Sequence, residues 1–269
     1  MGLVRDAIVE FRLRAQKQAT EEWLAKYGDS PRLHPSTVGH CLRQAMWKSL
    51  AGHPDHPLHV EPTHPLDLYV QEVMNSGNVW EEVNAKALLS LGAEHSVRFD
   101  TPPWAFELDF LLPGDVPIII EHKDTSEANF RYKGRLPYEH HCTQLCIYEL
   151  LMERETGKPH SGILYYNGRG HWAEFQVWSE GSSIIWEGEV DGLLKSGVFD
   201  TDVAETVATL EGYWHSQELP PKLSSPFGKR FACLKGGGSR GYWPACQYFS
   251  VCWPDMPEDG PIHREDYEG

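Results

Sequence analysis

The chain has 269 residues, of which 41% are hydrophobic and 23% charged, with a formal net charge of -15. That size and composition allow one substantial packed domain with appendages and exclude a chain disordered throughout. The acidic balance argues against a protein that coats nucleic acid by bulk electrostatics, but not against an enzyme that grips it in a local groove or through divalent metals.

Residues 1–30 read as a helix, with Val4, Ile8, Phe11 and Ala15 on one stripe. The first 18 residues lack the apolar run and small-residue cleavage site of a signal peptide, and no stretch is apolar enough to span a bilayer. A cytoplasmic protein is therefore expected. Ser36 or Thr37 is placed to cap a second helix carrying Cys41, Arg43 and Trp47. Residues 52–65 are rich in proline and histidine and read as a loop. His53, His56, His59 and His64 fall there, but the prolines prevent a regular metal-ligand spacing.

A helix is expected over 66–91, then strands over 95–99, 104–112 and 116–123. Helix returns over 139–153, followed by strands over 162–166 and 171–177. Two further helices are expected over 183–196 and 203–217. The last fifty or so residues are rich in glycine and proline and need a staple to be ordered. The order of elements is that of an α/β chain, a mixed sheet flanked by helices.

In 104–112, Phe106, Leu108 and Phe110 alternate with Glu107 and Asp109, so the two sets are expected on opposite faces. The apolar run Ile118-Ile119-Ile120 then ends in Glu121-His122-Lys123. Glu121 and Lys123 are two apart and project from one side, where a hairpin-like connection brings Asp109 beside them. Two carboxylates and a lysine at the end of a buried strand are costly unless paired or metal-bound. Such carboxylates suit Mg²⁺ or Mn²⁺, and the metal and lysine together suit phosphodiester hydrolysis. The alternative is a salt-bridged strand end.

Asp109 followed by Glu121-x-Lys123 resembles the PD-(D/E)xK nuclease signature. Gln144-Leu-Cys-Ile-Tyr148 resembles the Q-x-x-x-Y motif of the RecB-like branch, its two polar residues one helical turn apart. Gly77-Asn-Val-Trp-Glu81-Glu82 resembles that branch's Gly-x-x-x-His-Glu motif, with Glu81 at the histidine position. The resemblance implies a restriction-endonuclease-like mixed sheet and catalytic roles for Asp109, Glu121, Lys123, Gln144 and Tyr148. It also implies a metal held by Glu81, Asp109, Glu121 and the backbone carbonyl of His122, with Glu82 the other choice for the upstream ligand.

Cys41 lies far upstream of a C-terminal trio, Cys233, Cys246 and Cys252. This layout resembles the iron–sulfur RecB-like nucleases, which include the fourth Cas protein of CRISPR adaptation and the nuclease domain of AddB. There, four cysteines bind a [4Fe–4S] cluster that ties an N-terminal helical part to the C-terminal segment. Four thiolates also suit zinc, Zn²⁺, so spacing alone leaves both open. The usual Cys-x₂-Cys of the trio is absent, and Gly236-Gly237-Gly238 lies between Cys233 and Cys246. Cys142 and Cys146, near His140 and His141, have zinc-like spacing but are flanked by Leu145 and Ile147 and read as core.

The organisation expected from the resemblance is a helical region over 1–65, a nuclease core over 66–200 and a cysteine-bearing segment over 201–269. Arg131, Lys133 and Arg135 are candidates to track phosphates, with Lys229, Arg230, Lys235 and Arg240 near the cysteines. Three functions are implied or compete. One is a DNA exonuclease acting on single strands or ends in phage or host recombination, replication or repair. Another is a CRISPR-adaptation nuclease that trims spacer precursors. The third is a catalytically weak DNA- or partner-binding module. DNA is the expected partner, with a homo-oligomer or recombination or adaptation proteins beside it.

Overall fold

The computed structural model describes residues 30–39, 41–62, 81, 84–131, 136–168, 170–226, 234–236, 242–244, 246–256 and 262. The expected N-terminal helix, Gly77, Glu82, Lys133, Arg135 and Cys233 lie outside them, as does the side chain of Arg131.

A 3-10 turn at Pro35–Thr37 precedes helix α1, Leu42–Ser49, whose N-cap is Cys41. The cap expected at Ser36 or Thr37 is thus displaced. Pro35 starts its own short turn, Thr37 donates its hydroxyl to the His34 carbonyl at 2.7 Å, and Gly39 then turns with φ 129°. Residues 51–62 are turns and loop, as expected. His59 there contacts the Leu50 carbonyl through Nδ1 at 2.8 Å and Glu61 through Nε2 at 3.0 Å. Glu81 and residues 84–90 are helical (α2).

A mixed seven-stranded sheet follows, its strands neighbouring one another in chain order. β1 is Glu94–Thr101, β2 Trp104–Leu112 and β3 Ile118–Asp124, an antiparallel meander. The short helix α3, Glu127–Arg131, leads to the long α4, Glu139–Thr156. β4, Ser161–Gly168, then pairs parallel to β3. Parallel neighbours need a crossover, and α4 supplies it, lying across β3 to β6. It ends at Gly157, whose φ of 68° suits a left-handed cap. β5 is His171–Glu180, antiparallel to β4.

The helix expected over 183–196 is instead a β-hairpin, β6 Ser183–Val190 and β7 Leu193–Phe199. Asp191 and Gly192 join them with φ of 47° and 80°, the positive pair that a two-residue hairpin turn demands. Asp191 also accepts from the Trp172 amide at 3.1 Å and contacts His171 Nδ1 at 2.8 Å, stitching the turn to β5. The β-branched Ile184, Ile185, Val190 and Val198 favour extended backbone. The helix α5, Val203–Ser216, is as expected; Asp202 caps it by accepting from the Glu205 amide at 2.8 Å, and Val203, Val207 and Leu210 form its buried stripe.

The main core lies between the sheet and α4, around Leu108, Ile119, Leu145, Leu164 and Phe175. A second cluster on the opposite sheet face joins Ala85 of α2 to Phe110 and Ile120. Phe110 therefore parts from Phe106 and Leu108, which belong to the main core. The expected three-residue apolar face is broken at Asp109. There the β2–β3 ladder ends at Phe110↔Ile120, and the β1–β2 ladder skips Ser96, whose φ is 55°. A third cluster packs Trp47 of α1 against Leu234, Cys246, Tyr248 and Phe249 of the tail, with Trp47 and Tyr248 ring centroids 5.1 Å apart. The tail carries the short β8–β9 pair, Leu234–Gly236 and Tyr242–Pro244, and α6, Phe249–Cys252. No helix among the described residues is long and apolar enough to cross a membrane.

Candidate functional site

Glu121 and Lys123 leave the end of β3 on the face that carries α4, because Ile119 on the same parity is part of the core beneath that helix. Lys123 Nζ donates to Glu121 Oε1 at 2.5 Å. Gln144, held over the strand by the crossover, donates to the same oxygen at 2.7 Å and to the Tyr148 hydroxyl at 2.8 Å. Asp109 comes from the neighbouring strand. Its Oδ2 accepts the His122 backbone amide at 2.8 Å, where the β2–β3 ladder has ended. These side chains and Glu81 line one cleft of about 610 Å³. The spacing Asp109…Glu121-x-Lys123…Gln144-x-x-x-Tyr148 is thus one constellation in space.

Its electrostatics are strained. Burial, and after it the charges of Glu121 and Glu81, push the Asp109 carboxyl well above the usual carboxylate range, against the pull of Lys123 and the His122 amide. Burial draws the Lys123 ammonium down, but Glu121, Asp109 and Glu81 more than offset this and raise its pKa. Glu121 is 2% exposed, and its second oxygen, Oε2, is buried with no hydrogen-bond partner among the described residues. A buried carboxylate oxygen without a donor is costly and calls for one, or for a cation. Among the described residues no three His, Cys, Asp or Glu side chains are close enough to form a ready metal cage. The donor set is nonetheless that of a hard cation, since carboxylates that repel one another share a cleft with an unsatisfied oxygen.

The His122 side chain points to the other face, where its Nε2 contacts Asn84 Nδ2 at 3.0 Å and its ring stacks near Tyr165 at 5.8 Å. Burial, with help from Lys123, lowers its pKa to about 4, so the ring is neutral. Only its backbone faces Asp109.

Comparison with family models, with curated proteins and with solved structures finds no match.

Cys41, Cys246 and Cys252 gather where α1 meets the tail. Burial, and then the neighbouring Cys41 and Cys252, push the Cys246 thiol up to about 11, opposed by the Tyr248 amide. Burial and Cys41 also raise Cys252, while Arg43 lowers it. These three expected cluster residues are therefore within electrostatic reach of one another, although they are not close enough to form a ready metal cage, and burial outweighs Arg43 and Lys48 to favour the neutral thiols. The apolar contact of Trp47 with Tyr248 and Phe249 fastens the same junction, a staple additional to any metal. Cys142 and Cys146 are fully buried core residues, as expected.

Two residues that the motifs do not mark also belong here. His95 Nε2 lies 2.9 Å from Glu81 Oε1, and its ring stacks on Phe110 at 4.8 Å. The register of β1 on β2, with His95 opposite Phe110, is the signal that could have found it. Lys48, in the last turn of α1, also lines the cleft. A lone lysine at the end of a short helix carries no such signal.

Proposed function

We propose that this chain is a metal-dependent deoxyribonuclease of the RecB-like PD-(D/E)xK iron–sulfur group, an exonuclease acting on single strands or DNA ends. The observation that carries the reading is the half-satisfied Glu121. Gln144 and Lys123 fix its Oε1, while Oε2 is left buried and unpaired beside Asp109. An ordinary salt-bridged strand end would leave neither that oxygen idle nor a second carboxylate crowded against it. The antiparallel meander, crossover helix and parallel fourth strand agree with the mixed sheet that a restriction-endonuclease-like core requires.

In this reading Glu81, Asp109, Glu121 and the His122 carbonyl hold Mg²⁺ or Mn²⁺. Bound there, the metal supplies Lewis acidity at the phosphate and acidifies a water. Lys123 offsets the charge that develops on the phosphate oxygens. Gln144 is a positioning residue that keeps Glu121 turned, and Tyr148 accepts its second hydrogen bond. The Asp109 carboxyl is fixed by the His122 amide. In this reading Cys41, Cys246 and Cys252, with Cys233 as the fourth, would hold a [4Fe–4S] cluster once drawn closer than they stand here, and Zn²⁺ is the other metal that suits thiolates. Arg131, Lys133 and Arg135 follow β3 and would track the strand, and a bacterial cytoplasm suits both the thiols and the substrate.

The test is cleavage of single- and double-stranded DNA, labelled at either end, by anaerobically purified protein in Mn²⁺ and in EDTA. End-directed products that EDTA abolishes are expected. Absence of metal-dependent cleavage of every DNA tried would overturn the proposal, and a colourless zinc-containing preparation would replace the cluster.

His95 gives a finer check. A hydrogen bond from outside the ligand set aims a carboxylate at its metal. His95→Ala is expected to raise the Mn²⁺ concentration for half-maximal cleavage about tenfold, and His95→Gln, which keeps a donor, to recover most of it. Equal loss in both variants would remove His95 from that role.

A further inference from the structure

Lys48 is half-buried and lines the same cleft as Asp109 and Glu121. Among the described residues its ammonium makes no hydrogen bond or ion pair. Burial lowers its pKa, opposed by the neighbouring Cys246. Among the described residues no carboxylate of the cleft is ion-paired with it. The charges felt by Asp109 are Glu121, Lys123 and Glu81, and Lys123 is already bonded to Glu121. The cleft therefore holds two lysines among its acidic side chains, Lys123 bonded to Glu121 and Lys48 with no such bond among the described residues.

A partly buried ammonium without a counter-ion is costly unless a ligand supplies the charge. The cleft is polar elsewhere too, with Ser36 and Thr37 from the 3-10 turn among its lining residues. A nucleic-acid strand offers anions in series, so a phosphate held beside Asp109 and Glu121 brings its neighbour within the same cleft that Lys48 lines. We propose that Lys48 binds a backbone phosphate of the DNA strand, adjacent to the phosphate that is cleaved. The inference rests on the nuclease reading for the identity of the anion. It adds a contact that the acidic constellation does not contain, from the helix that also carries Cys41. Lysine rather than arginine fits a point contact to a single phosphate oxygen.

The experiment measures the Kd of a fluorescein-labelled single-stranded oligonucleotide for the full chain in Ca²⁺ at several salt concentrations. Wild type, Lys48→Ala and Lys48→Arg are compared, with iron content and thermal midpoint as controls. Lys48→Ala is expected to bind roughly tenfold more weakly. Its slope of log K against log salt should be shallower by about 0.7, one phosphate contact on a single strand. Lys48→Arg should restore both. An unchanged Kd and slope in Lys48→Ala would overturn the proposal. So would weaker binding with an unchanged slope and lost iron, which would make Lys48 a counter-charge for the thiols. The two readings separate cleanly. Wild type that cleaves in Mn²⁺ while Lys48→Ala binds normally keeps the nuclease and discards Lys48. Wild type that binds through Lys48 but never cleaves does the reverse, and wild type that does not bind DNA overturns both.

Discussion

Lys123→Ala is expected to lower Mn²⁺-dependent DNA cleavage by about a hundredfold to a thousandfold, the usual effect of removing one group that stabilises developing charge. Lys123 bonds to Glu121 Oε1 and is the cation that opposes the upward push on Asp109. Without it, Glu81, Asp109 and Glu121 face one another with no internal counter-charge. The variant should therefore melt earlier than wild type in EDTA, because a paired charge has lost its partner. It should gain more from added Mn²⁺, because the metal is then the only cation able to relieve the carboxylates. Rates from single-turnover assays and melting curves with and without metal measure both effects. Cleavage undiminished in Lys123→Ala would remove the lysine from the chemistry.

Gly188→Ala should destabilise the fold by on the order of 3 kcal/mol, with no direct effect on the cleft. Gly188 sits in β6, between β5 and β7, and a methyl group there would lie 2.7 Å from the Phe175 Cα and 2.8 Å from the Glu174 carbonyl carbon. Those are backbone atoms of the adjacent strand, so no side-chain rotation relieves them. Phe175 is fully buried and packs edge-on against Trp186, so separating β5 from β6 would open the core. Urea unfolding followed by tryptophan fluorescence gives the number, and Lys195→Ala on the neighbouring strand is the control. A loss under about 1 kcal/mol would mean that the strands do not approach so closely.

The contrast between these two sites shows what can be read from sequence. Glu121 and Lys123 are legible because a strand has a period of two, and Asp109 because the turn after Leu112 is short. Gln144 and Tyr148 are legible because four residues make about one helical turn. The hairpin of β6 and β7 is hidden by apolar residues dense enough to mimic a helical stripe, and the Asp191-Gly192 pair was the local sign of it. Phe110 changes cluster because the ladder fails at Asp109, a consequence of where a carboxylate bonds rather than of any pattern. His95 and Lys48 reach the cleft through strand pairing and helix packing, which act across distances that motif spacing does not encode.

The sheet lists its strands in the order in which the chain makes them, and all but one of the connections between them are brief. Hairpins of that kind close quickly because little chain must be gathered for each pairing. The exception is the long excursion from β3 through α4 to β4, and Glu121 meets Gln144 only when that excursion has come home. Assembly of the candidate site is thus tied to the longest closure in the sheet. A nascent or partly folded chain would carry its acidic residues but not their alignment, so the nuclease proposed for this cleft would become active only with the finished fold.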